Sequence, residues 1–161
     1  MEILTYGNEI LSGEAEPVRV IDANAAKLAA DMLEIMLAGK GIGLAAPQVG
    51  ILKRLFVVQL TDDIPRVFFN PKIVGQSEET TKYEEGCLSL PGIYADVVRP
   101  VAIRIHAWNE KGKSFTLDAD GLLSRVIQHE LDHLYGIMFV DRLTELKRKR
   151  IIKAWEEKTR A

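Results

Sequence analysis

Cysteine is almost absent: Cys87 is the only thiol in 161 residues. No internal disulfide can form, and a lone thiol fits a reducing compartment. Also missing is any apolar run near the ~20 residues that span a bilayer. The opening residues Met1 to Thr5 carry no basic segment leading into an apolar stretch, so no secretory signal is expected. Positive charge is not in excess either. A net charge of −2 gives no global field for nucleic acid or an acidic membrane surface. These absences point to a cytoplasmic protein with neither membrane nor DNA as partner. No repeat, low-complexity tract or long linker divides the chain.

What is present describes a globular domain. Hydrophobic residues make up 47% and charged residues 27%, which suits one domain over 1–161 with a real core. Asp22 is a good N-cap for a helix running to about Ala38. Within it Leu28, Met32, Ile35 and Met36 follow the spacing of one buried face, and Gly39 and Gly41 stop it. Leu55 to Leu60 is a short apolar run, read as a buried strand. Val101, Ile103, Ile105 and Ala107 alternate with polar residues, and Phe115 and Leu117 do the same after a Lys111-Gly112-Lys113 turn, which makes a hairpin. A second helix opens near Asp118 or Asp120 and stops at Gly136. Ile137 to Val140 reads as one more short strand. A final helix spans roughly Thr144 to Lys158, within a C-terminal segment 143–161. Strands outnumber helices and hairpin turns outnumber helical crossovers. The expected class is therefore α+β, with antiparallel strands packed around a central helix that is apolar nearly all round and ends at Gly136.

That second helix carries Gln128-His129-Glu130-Leu131-Asp132-His133. An H-E-x-x-H run sets its two histidines about 40° apart around the helix axis, so both can reach one metal ion. Glu130 lies about 100° round from His129, near a metal-activated water without being a ligand. A surface helix with two ordinary hydrogen-bonded histidines is the plain alternative. Against it, Leu122, Val126, His129 and His133 share one face, and buried imidazoles are costly unless something satisfies them. Catalytic sites of this type use three protein ligands. The remaining histidine, His106, falls on the polar side of a strand and reads as a surface residue. Cys87, in Glu85-Gly86-Cys87-Leu88-Ser89, is the better third ligand, although a lone cysteine is more often a small buried hydrophobe. A metallopeptidase cleaving internal peptide bonds would share the helix motif. A closed structural metal site would need a fourth ligand, for which only Asp132 stands available.

Three motifs, in order, resemble those of the peptide deformylase family: Gly41-Ile42-Gly43-Leu44-Ala45-Ala46-Pro47-Gln48, Glu85-Gly86-Cys87-Leu88-Ser89, and Gln128 to His133. The similarity extends over nearly all of 2–143 and is of the bacterial type. The resemblance implies that Cys87, His129 and His133 bind one divalent metal ion. It implies Fe²⁺ in the cell, with Zn²⁺ or Ni²⁺ possible in purified protein. It implies Glu130 as general base, and the side-chain amide of Gln48 with the backbone N–H of Leu88 as oxyanion donors. Substrates would be N-formyl-methionyl peptides held by main-chain contacts near Ile42, Gly43 and Gly86. Ile42, Tyr83, Leu122 and Val126 are the expected walls of the methionine pocket. The basic run Lys147-Arg148-Lys149-Arg150 with Lys153 would contact ribosomal RNA or be a solvated face; Leu143, Leu146, Ile151, Ala154 and Trp155 would dock the helix. Finally, Arg99 is expected to pair with Asp132, Glu85 or both and so brace the ligand helix against the Cys87 loop; an exposed arginine ahead of a proline is the alternative.

Overall fold

A computed structural model describes residues 1–61 and 63–160. The Asp22 side chain accepts from the Ala25 N–H and so caps α1 (Ala23–Ala38), the residue the sequence had marked. Seven strands follow: β1 (Gly43–Ala45), β2 (Leu55–Val58), β3 (Arg66–Gln76), β4 (Thr80–Cys87), β5 (Leu90–Pro100), β6 (Ala102–Trp108) and β7 (Ser114–Asp120). Then come α2 (Gly121–Leu134) and α3 (Glu145–Arg160). Among the described residues every strand pair is antiparallel: β1-β2-β3-β6-β7 form one sheet, and β4 with β5 forms a separate hairpin.

The alternation of side chains along β2 divides the core. Phe56 and Val58 face α2, packing with Phe68, Ile103, Ile105, Ile127 and Leu134. Leu55 and Val57 face α1, packing with Met32, Met36, Val67 and Phe69. Each large side chain fully buried here contributes about 1.5–3 kcal/mol, enough to fix both helices on the sheet. A third cluster, with Leu90, Val97, Phe139, Val140 and Trp155, ties α3 to β5. The α+β class with antiparallel strands around a central helix is what the sequence predicts. α2 is that helix, and it touches both the large sheet and the hairpin.

Four expectations need correction. Ile137 to Val140 is not a strand: Gly136 takes φ +75°, and Phe139–Arg142 forms a 3-10 turn whose start is capped by Asp141 accepting from the Met138 N–H. α2 is buried nearly all round but is not apolar, because Ser124, Arg125, Gln128, His129, Glu130, Asp132 and His133 are all buried. On α3, Leu146 and Ala154 are exposed, and docking falls to Ile151, Ile152 and Trp155 with Leu143. Val101 lies outside β6 and is only half-buried.

Candidate active site and metal centre

α2 and the turn at the end of the β4–β5 hairpin face each other, and that meeting assembles the site. Cys87, His129 and His133 each offer a donor atom, and these atoms lie within 4.8 Å of one another. Cys87 Sγ is 3.4 Å from His133 Nε2. Metal–sulfur and metal–nitrogen bonds of about 2.3 and 2.0–2.1 Å in a tetrahedral centre separate the two ligand atoms by about 3.5 Å. The spacing fits a metal, and so does the donor set. His129 directs Nδ1 to Glu85 Oε1 at 2.9 Å, which leaves its Nε2 for a ligand role. Asp132 is not a fourth ligand, because Arg99 and Arg142 occupy its carboxylate.

Glu130 is buried, and among the described residues its Oε1 has no hydrogen-bond partner. Its Oε2 is 4.0 Å from His129 Nε2. Burial, opposed by His129 and reinforced by the charge of Glu85, raises its pKa to about 7. Gly43 makes room for it, since a Cβ there would force the carboxylate to shift. His133 is fully buried, and burial, with the positive charge of His129, holds its pKa well below the usual imidazole value. For His129 burial acts in the same direction, but Glu130, Cys87 and Glu85 outweigh it and hold its pKa well above that value.

Gln48 is locked before any substrate arrives. Its Oε1 accepts from the Ala45 N–H at 2.9 Å, and its Nε2 faces Ser89 Oγ at 3.0 Å and Cys87 Sγ at 3.4 Å. The short 3-10 turn Ala46–Val49, with Pro47 at its start, puts Gln48 there.

On the other flank stands a buried charge cluster. Arg99 donates to both Glu85 oxygens, at 2.6 and 2.9 Å, and to Asp132 Oδ2 at 2.9 Å, so the arginine reaches both acids as the sequence predicts. Burial would raise the Glu85 pKa, but hydrogen bonds from His129 and Arg99 outweigh it and bring it to about 2. Two members escape sequence reasoning. Arg125 donates to Glu85 Oε2 at 2.6 Å and to the Val97 and Thr81 carbonyls, and Arg142 holds Asp132 at 2.7 and 3.0 Å. The spacing of Arg125, one turn before His129, was the only available signal. Ser89 was likewise unsuspected.

Beside Cys87, His129 and Glu130 opens a cavity of about 600 Å³. Ile42, Gly43, Gly86 and Leu88 line it, as do all four residues expected around methionine: Ile42, Tyr83, Leu122 and Val126. His106 lies outside, half-buried on the sheet and 3.2 Å from Thr116 Oγ1.

Comparison with known proteins points to one family. The family model described as polypeptide deformylase matches residues 1–149. The peptide deformylase of Neisseria meningitidis is 54% identical over 153 residues, covering 94% of this chain and 91% of the relative. That of Rhizobium meliloti is 46% identical over 155 residues, covering 94% and 89%. Among solved structures, peptide deformylase from Ehrlichia chaffeensis in complex with actinonin superposes with a TM-score of 0.95 at 38% identity, covering 100% of this chain and 98% of that one. The Thermus thermophilus enzyme gives 0.91 at 42% identity, covering 96% and 92%.

Proposed function

Since the chain belongs to the polypeptide deformylase family, we propose that Cys87, His129 and His133 hold its metal and that Glu130, Gln48 and Leu88 carry out the chemistry. The enzyme is a metal-dependent hydrolase that removes the formyl group from the N-terminal formyl-methionine of new polypeptides and releases formate. The observation that carries the residue assignment is the convergence of one thiol and two imidazole nitrogens beside a buried glutamate whose Oε1 has no hydrogen-bond partner among the described residues.

Bound to that triad, a divalent cation supplies Lewis acidity, polarising a carbonyl oxygen and making a neighbouring water acidic near neutral pH. Glu130 takes a proton from water as the oxygen attacks the formyl carbon, and returns it to the amine nitrogen as the C–N bond breaks. Products are formate and a free methionine amine. The oxyanion needs donors fixed in advance. Gln48 Nε2 donates one N–H to Ser89 Oγ and the other, at 3.4 Å, to Cys87 Sγ, and that second N–H turns to the oxyanion, joined by the Leu88 backbone N–H. The Glu85 carboxylate orients the His129 ring.

The peptide binds extended, through main-chain groups of Ile42, Gly43 and Gly86. Among the described residues β1 is the outer strand of its sheet and β4 is unpaired on one side, so both offer backbone groups to an added strand. The methionine side chain fills the apolar end formed by Ile42, Tyr83, Leu122 and Val126. A thiolate with two imidazoles suits Fe²⁺ and Zn²⁺ alike; ferrous iron is the proposed ion in the cell, with zinc or nickel able to replace it. The sole cysteine suits the reducing cytoplasm, and among the described residues no helix is long and apolar enough to cross a membrane.

The test is to purify the protein without oxygen, measure its metal content and follow amine release from a formyl-methionyl tripeptide beside its unformylated counterpart. Cleavage of an internal peptide bond, or activity without metal, would contradict the assignment. Lys147, Lys149, Arg150 and Lys153 are exposed on α3, whereas Arg148 is partly engaged by Asp141. This exposed face is the proposed contact with ribosomal RNA. Reversing Lys147, Arg150 and Lys153 to glutamate should weaken ribosome association and reduce its salt dependence while sparing tripeptide turnover.

A further inference from the structure

We propose that Ser89 is a positioning residue for the reaction, acting through Gln48 and resting on the reading of Gln48 as an oxyanion donor. Ser89 is fully buried, and its hydroxyl lies 3.0 Å from Gln48 Nε2. A glutamine side chain has three rotatable torsions and an amide that can present either end. Two contacts remove that freedom here. The Ala45 N–H, 2.9 Å from Oε1, selects which end is oxygen, and Ser89 Oγ accepts one of the two N–H groups. The other donates to Cys87 Sγ at 3.4 Å, a long contact to a weak acceptor, and is the hydrogen that can be given up to an oxyanion. By holding one N–H, Ser89 therefore keeps the other on the Cys87 side, where the reaction takes place.

The backbone around this pair is fastened by one short N-terminal segment. The Leu4 N–H donates to the Gln48 carbonyl at 2.7 Å, and the Tyr6 N–H donates to the Ser89 carbonyl at 2.8 Å. Gln48 and Ser89 lie 41 positions apart in sequence, yet residues 4 to 6 hold both main chains at one spacing. The amide is thus aligned before the reaction, and no reorganisation is needed as negative charge develops. Leu88, whose N–H is the partner donor, sits between Cys87 and Ser89, so fixing Ser89 also fixes the second donor's neighbour.

The experiment is a double-mutant cycle on the metal-loaded enzyme with a formyl-methionyl tripeptide: wild type, Ser89→Ala, Gln48→Leu and the double variant, each with kcat, KM, metal content and melting temperature. Ser89→Ala is expected to lower kcat about tenfold, the scale of one lost hydrogen bond, with KM and metal content unchanged. In the Gln48→Leu background the same substitution should cost nothing further. Ser89→Cys keeps a similar volume and a weaker acceptor, and its kcat should fall between wild type and Ser89→Ala. Three results would overturn the proposal. Unchanged kcat in Ser89→Ala, with Gln48→Leu still impaired, removes Ser89 and leaves Gln48 in place. An equal loss in both backgrounds means that Ser89 does not act through Gln48. Full kcat in Gln48→Leu removes the oxyanion reading itself, and Ser89's role with it.

Discussion

Two halves of the site differ in what holds them. Around His129 the contacts are charged: Glu85 on its Nδ1, with Arg99, Arg125, Asp132 and Arg142 beyond. Around Cys87 and His133 they are neutral: Gln48, Ser89, and a His133 Nδ1 with no partner among the described residues. The two histidines occupy adjacent turns of one helix, yet burial holds one imidazole's pKa low while charges hold the other's high. The charged half fixes a ligand and joins α2 to the hairpin. The neutral half holds one amide hydrogen only by a long contact to Cys87 Sγ, so it can be given up to a developing charge. Structural strength and chemical readiness are divided between them.

Glu130 stands at the boundary, and replacing it should have the largest effect on turnover. Glu130→Gln is expected to lower kcat by about 10²–10⁴, the range for losing a general base, with metal content unchanged in the purified protein. Loss of metal in step with activity would make Glu130 a ligand and move it into the charged half. Next comes the neutral half. Gln48→Leu should lower kcat by about 10²–10³ with little change in KM, as for one oxyanion donor. A rise in KM alone would mean that Gln48 binds substrate without assisting the reaction.

Breaking the charged half should register elsewhere. Glu85→Gln removes the carboxylate from His129, leaves buried Arg125 without its acid and leaves Arg99 with Asp132 alone. Metal affinity is expected to fall about 10–100-fold, measured by competition with a chelator. Stability should fall by about 3–5 kcal/mol in denaturant melts, because both partners are buried. If Glu85→Gln instead lowers kcat with metal affinity intact, the division between the halves fails. The smallest effect belongs to Arg142, whose side chain is 46% exposed. Arg142→Gln should cost less than about 1 kcal/mol, since solvent screens the pair and Arg99 still holds Asp132.

How legible each half was in the sequence follows the same line. Cys87, His129, Glu130 and His133 sit in short motifs, and helical periodicity alone brings the last three together. Arg99 was accessible because burying Glu85 and Asp132 near a metal demands a compensating cation. Arg125 and Arg142 were not, because their partners depend on how β4 and β5 pair and how α2 packs on them. β4 hides its strand character: Thr80 to Glu84 are all exposed, so no apolar alternation marks it. β3 is interrupted by Asn70 at φ +49° and by Pro71, which break the expected pattern. The run Ile137 to Val140 misleads in the opposite sense, having strand-like residues in a segment that Gly136 and Asp141 turn into a 3-10 coil.

Gly43 has a consequence for resistance to inhibitors. A common route of escape is a bulkier residue that crowds the drug out. Here any side chain at position 43 would meet the Glu130 carboxylate before it met a ligand. A mutant that evicted the compound by this route would displace its own base. A molecule packed on Gly43 therefore presses on a position where a larger residue must shift the base, and a saturation library grown under selection for activity should be dominated by glycine.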